Sequence, residues 1–312
     1  MKAVRVHAFG GVDAMVVEDI PIPVPGPGQV LVRVAAAGVG PWDIWVRSGH
    51  SVLPQPLPLT PGADLSGIVE ATGPNVTAFR AGDAVFGATN PRFTGAYAEY
   101  ALAEAAMIDR KPDALTHIEA ASVPVVACTA WQMLFDHGDV KPGQTVVVLG
   151  GGGNVGSYAV QLAVLAGARV VATGRAGDLD RIKALGASEA IAADAALPTG
   201  LAAQADVVID TVGGTALAGA LDWLRDGGAL LSAVAEPDHA AATRRQIRAQ
   251  FVLVAVTSAK LKSLAEQFEA HRLRTNAVEV LGLSEAREAH RMLEDHRRPG
   301  KIVLVPQQSL NP

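Results

Sequence analysis

The sequence predicts an α/β chain in which a β-rich region is followed by a doubly wound parallel sheet. From residue 145 onward, six apolar runs alternate with helical stretches: TVVVL (145–149), RVVAT (169–173), AIAA (190–193), DVVID (206–210), ALLSAV (229–234) and FVLVAV (251–256). Nearly continuous apolar strands joined by helical crossovers describe a parallel sheet covered on both faces. Before residue 110 the pattern is different. Alternating or β-branched runs (VRVHAF, VLVRVAAAGV, GIVEATG, GDAVFG, GAYAEYALA) are punctuated by turn residues, including the proline-dense PIPVPGPGQ. The third observation is LGGGGNVGS at 149–157, where glycines 150–153 follow a strand and precede a helix.

The helix is read from NVGSYAVQLAVLAGA, in which Val155, Tyr158, Ala159, Leu162, Ala163 and Ala166 keep i, i+3, i+4 spacing. After the sheet region, VEVLGL, SEAREAHRMLED and KIVLV return to the style of the first part. The C-terminal segment is therefore expected to complete the N-terminal domain: residues 1–123 with 260–312 form one domain and residues 124–259 the other, with an active cleft between them.

Composition narrows the function. The chain of 312 residues is 49% hydrophobic and 18% charged, with mean hydropathy +0.25, which suits a buried core rather than disorder. A net charge of −5 and a pI near 5.9 give no general basic surface for a nucleic-acid backbone. The N-terminal MKAVRVHAFGG lacks the apolar core of a signal peptide, and no run reaches membrane-span length, so a cytoplasmic protein without a membrane partner is expected. The single cysteine, Cys128, excludes an internal disulfide and a cysteine-based metal cluster.

Gly151, Gly153 and Gly156 spell G-x-G-x-x-G between a predicted strand and a predicted helix, the context that a dinucleotide fingerprint requires. Glycine there permits a tight turn and close approach to a pyrophosphate, and the helix start offers N–H groups and a positive dipole end. Gly151, Gly152, Gly153, Asn154, Val155 and Gly156 are thus the candidate cofactor loop. A flexible linker would not lie inside a strand–helix unit. The choice of nicotinamide cofactor is read from the end of the second strand. An NAD site places an acid there for the ribose 2′-OH, whereas an arginine accommodates a 2′-phosphate. Here RVVAT runs into Gly174 and Arg175, which predicts NADPH; the alternative is that Arg175 pairs with Asp178 or Asp180.

Several stretches in this order are similar to the zinc-independent quinone oxidoreductase branch of the medium-chain dehydrogenase/reductase superfamily, the group that includes zeta-crystallin. They are PIPVPGPGQVLVRVAAAGVGPWD, TPGADLSGIVEATGPNV, FRAGDAVFG, GAYAEY, TAWQML, VKPGQTVVVLGGGGNVGSYAVQLA, VIDTVGG and RRPGKIVLV. The resemblance implies a GroES-like β domain and a Rossmann domain, with NADPH between them and its nicotinamide beside Thr129 and Val234. It also places WDIWVRSGH in the substrate-lining segment, which makes Asp43 and Trp45 pocket candidates; Gly40, just before it, and Cys128, beside Thr129, are the others. Gly40 stands where the branch commonly has Asn, Gly150 where it has Ala, and Trp45 and Ser51 where some relatives have Tyr.

The superfamily's zinc-dependent members would carry a cysteine at Gly40, a histidine at Ala63 in Gly62-Ala63-Asp64, and a further cysteine near Val125. None of these ligands is present, and the eight histidines show no paired spacing, so no metal is expected. Without zinc to polarise an alcohol, hydride delivery to a quinone or an α,β-unsaturated carbonyl is the expected chemistry. A reductase dedicated to one enal, enone or acyl-thioester and a non-catalytic NADPH-binding protein are the alternatives.

Other residues have plainer readings beside these. Asp43 and Arg47 have the i, i+4 spacing of a structural ion pair, Cys128 that of a small core residue, and Trp42 of core or pocket wall. His50 is left open between a catalytic and a structural role. FVLVAV, expected as the last strand of the sheet, presents a hydrophobic edge that predicts a homodimer.

Overall fold

A computed structural model describes residues 1–195, 199–276, 278–295 and 300–306. The chain divides into two compact units, residues 1–125 with 256–312 and residues 126–255.

The second unit contains a six-stranded sheet, β1 (Thr145–Leu149), β2 (Arg169–Gly174), β3 (Glu189–Ala192), β4 (Ala205–Asp210), β5 (Leu224–Ser232) and β6 (Arg248–Phe251), in spatial order β3-β2-β1-β4-β5-β6. All neighbours run parallel. The chain winds outward from β1 in one direction and then resumes at β4 in the other, so the strand order reverses between β1 and β4. In open α/β sheets, ligands bind beyond the carboxyl ends of the strands at such a reversal. Val147, Leu149, Val171, Val208 and Leu230 pack one face of this sheet against Leu217, Ala220 and Trp223.

The unit formed by residues 1–125 and 256–312 is built on a largely antiparallel sheet. In spatial order, its strands are Val278–Gly282, Lys301–Val305, Gln29–Val39, Asp64–Thr72, Ala84–Ala88 and Ile108–Arg110, with Tyr100–Glu104 also pairing to Gln29–Val39. The long strand Gln29–Val39 is the hub. It pairs Ile302 with Val39 and Leu304 with Ala37, which inserts the C-terminal segment into the N-terminal sheet. Its alternating Val30, Val32 and Val34 enter a core with Val4, Leu65, Val85, Ile108 and Leu304.

Two of the sequence expectations need correction. The last sheet strand is Arg248–Phe251, not residues 251–256. After Phe251 only Val252 N–H continues the ladder, to Ser232 O at 2.8 Å. The Gln132 side-chain amide then takes the place of a strand. Its Nε2 donates to Leu253 O at 3.2 Å and its Oε1 accepts from Ala255 N at 2.8 Å. The apolar run marked a buried segment but not its pairing, and the true edge strand carries Arg248 and Gln250. The fifth strand likewise ends at Ser232, so Val234 lies two residues beyond it.

Candidate functional site

The glycine loop forms between β1 and the helix Asn154–Leu165, and its geometry can be built residue by residue. Gly150 has φ +84°, a left-handed conformation that side chains disfavour. Gly151 N–H donates to Thr173 O at 2.8 Å and Gly153 N–H to Gly150 O at 2.9 Å, which closes the turn. A side chain at Gly156 would begin 2.1 Å from Gly150 O, so only glycine lets the helix start this close to the loop. Gly153 is the N-cap and brings no side chain to the first turn, which leaves the positive end of the helix suited to an anion. The loop follows β1 at the strand-order reversal. These features fit the pyrophosphate of a dinucleotide.

At the ends of β4 and β5 lies a polar pair that periodicity did not reveal. Ser232 Oγ donates to Asp210 Oδ2 at 2.7 Å, with neither residue exposed. Asp210 Oδ1 accepts from the N–H groups of Val212 and Gly213, and Ser232 Oγ from those of Val234 and Ala235. This pair fixes both loops at the carboxyl edge, including Val234. Its sequence signal was the acid closing DVVID, a carboxylate at the end of a buried strand.

Beyond β2, Arg175 is exposed; its carbonyl accepts from Asp178 N–H at 2.9 Å, while its side chain, among the described residues, makes no hydrogen bond or ion pair. Asp178 pairs instead with Arg181, at 3.1 Å. A carboxylate therefore stands near the loop, four residues after Gly174 and neutralised by Arg181 rather than by Arg175. Thr129 is buried. Cys128 is in no disulfide and has no exposed surface on which a substrate could rest.

In the other unit, the helix Pro41–Ser48 carries a buried polar chain. Gly40 is its N-cap, and Asp43 Oδ2 accepts from Gly40 N–H at 2.8 Å, while Oδ1 accepts from Gly62 N–H at 3.2 Å. Asp43 and Arg47 do not pair with each other. Arg47 turns to Glu294 at 2.5 Å, to Gly10 O at 3.1 Å and to His290 Nδ1 at 3.3 Å. Arginine only donates, so Nδ1 accepts and the imidazole proton sits on Nε2. Nε2 then faces Tyr97 Oη at 3.4 Å, and Tyr97 donates to Asp43 Oδ2 at 3.2 Å. The chain Arg47 to His290 to Tyr97 to Asp43 thus has a single direction.

A second buried pair lies beside it. Lys301 Nζ donates to Asp64 Oδ2 at 2.8 Å, both residues being 2% exposed, and Asp64 Oδ1 accepts from Val125 N–H. Lys301 Nζ is 3.5 Å from where a side chain at Gly40 would begin. Burial pushes the Asp43 carboxyl up to about 7, with the donors around it and Lys301 opposing and Asp64 assisting. Burial and the adjacent Arg47 push His290 down to about 3. Tyr97 is held well above its ordinary value, mainly by burial and then by Asp43.

None of Tyr97, His290, Glu294 or Lys301 was singled out from the sequence. The signals were a histidine on the apolar face of SEAREAHRMLED and a lysine heading the buried strand KIVLV. Trp45, on the same helix as Asp43, is 40% exposed and stacks edge-on with Trp42 at 6.2 Å. His50 is exposed and bonds Ser48 Oγ, away from the buried chain. Among the described residues, no group of three or more His, Cys, Asp or Glu is arranged to hold a metal ion, and no helix is long and apolar enough to cross a membrane.

Comparison with known proteins agrees with this architecture. Residues 26–113 match the alcohol dehydrogenase GroES-like domain, and residues 185–304 match the family described as zinc-binding dehydrogenase. The 2-methylene-furan-3-one reductase of Solanum lycopersicum is 31% identical over 98% of this chain and 79% of its own length. The chain belongs to the medium-chain dehydrogenase/reductase superfamily and is quinone oxidoreductase-like within it. The quinone oxidoreductase of Pongo abelii is 38% identical over 55% of this chain. That match spans about half the relative's length, 52%. Two solved structures superpose over 98% of the chain and 99% of their own. One is an NAD-dependent alcohol dehydrogenase, with 34% identity and TM-score 0.88; the other is the quinone oxidoreductase from Coxiella burnetii, with 31% identity and TM-score 0.90. The fold is accordingly a GroES-like domain with a Rossmann-like parallel sheet, and members of this superfamily are oxidoreductases that use nicotinamide cofactors.

Asp43 and His290 have opposite effects on stability. Asp43 has a folded value above its unfolded one, so its contribution is complete below about pH 3.8 and is lost as pH rises through about 7. His290 has a folded value below its unfolded one, so its contribution is present above about pH 6.5 and is lost as pH falls toward 3. Between these limits the two slopes offset each other. Replacing His290 with Gln should unmask Asp43. Calorimetric melting of the variant should then show Tm falling more steeply than wild type from pH 4 to 7, and a parallel or rising profile would contradict the assignment.

Proposed function

We propose that the chain is an NADPH-dependent reductase that delivers hydride to quinones or α,β-unsaturated carbonyls without zinc. The observation that carries this is the pairing of a fitting dinucleotide loop with a superfamily metal position that holds no metal ligands. Glycine stands at 40 and alanine at 63, and the Lys301 ammonium, bound to Asp64, lies beside Gly40. A divalent cation would meet that buried positive charge in a poorly screening interior. The carbonyl acceptor must therefore be electron-poor in its own right, because no metal polarises it. When bound, the nicotinamide supplies the hydride. The chain's part is to seat the pyrophosphate over Gly151–Gly156, with Thr129 and Val234 proposed beside the nicotinamide and Trp45 toward the substrate.

The test is NADPH oxidation against a panel of quinones and enones, run beside alcohol oxidation, with elemental analysis of the same protein. Turnover with the electron-poor acceptors and sub-stoichiometric zinc is expected. Stoichiometric zinc whose removal abolishes turnover would reverse the conclusion. Tight NADPH binding with no turnover on any acceptor would favour a non-catalytic role.

For the cofactor, the exposed and unpaired Arg175 after Gly174 supports a 2′-phosphate contact, since its planar fork matches phosphate oxygens. A second reading, NADH, is favoured by Asp178, a carboxylate close enough to Gly174 to serve a ribose hydroxyl. The variant Arg175→Ala separates them. It should raise KM for NADPH about tenfold, or ~1.4 kcal/mol, and leave NADH nearly unchanged. Equal losses, or a wild type that prefers NADH, would favour the second reading.

We also propose a homodimer in which a second copy pairs along the outer edge of β6 and the residues that follow it, because an edge strand is a template for another chain. Sedimentation at micromolar concentration should give a dimer, and Val254→Asp should weaken it. A monomeric wild type would sink this proposal.

A further inference from the structure

We propose that Arg181 is a positioning residue for the phosphate loop: with Asp178 it clamps the Gly152 carbonyl and holds the loop in the orientation that receives a dinucleotide. The proposal rests on the dinucleotide reading above. Gly152 lies outside the three fingerprint positions, so the motif gives no reason for glycine there. The structure gives one. A side chain at Gly152 would begin 2.8 Å from Cβ, Cγ and Oδ2 of Asp178, so glycine at this position admits a carboxylate against the loop.

A bare carboxylate beside a phosphate site would repel the ligand. Arg181 removes that conflict, because its Nη2 contacts Asp178 Oδ1 at 3.1 Å and also donates to Gly152 O. The peptide joining Gly152 and Gly153 is planar, so its two ends orient together. Its oxygen is held by Arg181 and its N–H by Gly150 O at 2.9 Å. This single peptide is therefore fixed at both ends within a run of glycines that would otherwise sample many conformations. Gly153 then starts the helix. Arg181 is itself anchored, because the next residue, Ile182, is fully buried, with its Cδ1 3.7 Å from where a side chain at Gly151 would begin. Arg175 is placed differently, as its side chain makes no hydrogen bond or ion pair with the loop. The two arginines should thus have separable effects.

The experiment uses the full-length protein. Binding of NADPH and of NADH is measured by calorimetry, and hydrogen exchange of the loop amides 151–156 is followed without cofactor. Arg181→Ala should raise Kd for both cofactors to a similar extent, about tenfold or more, and should speed exchange in the loop while amides of β4 stay protected. Adding Asp178→Asn to that variant should recover part of the lost affinity, because the unneutralised carboxylate is gone. Arg181→Lys, which keeps a cation within reach of both oxygens, should stay within about threefold of wild type and serves if the alanine variant does not fold. A loss confined to NADPH would make Arg181 a 2′-phosphate ligand and overturn the clamp, as would unchanged affinity and exchange. A wild type that binds neither cofactor would defeat the dinucleotide reading, and the exchange data would still decide the clamp.

Discussion

The dinucleotide unit depends on one close approach. The helix Asn154–Leu165 begins so near the end of β1 that the Gly150 carbonyl lies 2.1 Å from where a Gly156 side chain would start. Any side chain there would push the helix outward and turn its positive end away from the strand-order reversal. The remaining glycines answer the same constraint locally. Gly150 supplies the left-handed turn, a side chain at Gly151 would begin 2.7 Å from Ala172 Cβ, and Gly152 makes room for Asp178. The four glycines are thus not interchangeable. Each is required by a different neighbour, which argues against any account of the run as slack chain.

In the other unit the governing term is buried charge. Asp43, Asp64 and Lys301 are each 2% exposed, and Arg47 is 3% exposed. An unpaired buried charge is costly, and removing one partner of a buried pair exposes that cost in full. Lys301 answers Asp64 directly, and Arg47 answers Glu294. Asp43 is left with hydrogen-bond donors and a more distant ammonium, and burial raises its carboxyl to about 7. The balance also explains why His290 is neutral. Arg47 is needed for Glu294 and donates to Nδ1, so a second proton on the ring would face a guanidinium.

Local pattern was a good guide wherever local pattern sets the structure. The run TVVVL is β1 residue for residue, and the helical spacing after Asn154 marks a helix whose face from Gly156 to Ala163 is buried. The fold class and the glycine loop could be read because strand period, helix period and turn chemistry agree there. Pairing could not be read. FVLVAV looks like a strand, yet its inner backbone groups are taken by a glutamine side chain more than 120 residues earlier in sequence. The spacing of Asp43 and Arg47 offered an ion pair, but Glu294 and Tyr97 compete for those groups from distant parts of the chain. Contacts of this kind depend on topology, which a single sequence does not display.

The two places most informative for chemistry are those where a charge stands against local preference. A lysine opening a buried strand and an aspartate beside a phosphate loop are both unfavourable in isolation. Each is tolerated because a counter-charge arrives from elsewhere in the fold: Asp64 for Lys301, and Arg181 for Asp178. The first places a fixed cation beside Gly40, where the metal-dependent members of the superfamily have a ligand. The second places a neutralised carboxylate beside the glycine loop, where the proposed cofactor's phosphate or ribose would lie. In the proposed function, zinc independence and cofactor choice would both rest on the same physical device, a buried or half-buried ion pair whose loss would leave one charge unanswered. A change at either partner alone should therefore disturb the chemistry more than a change at both.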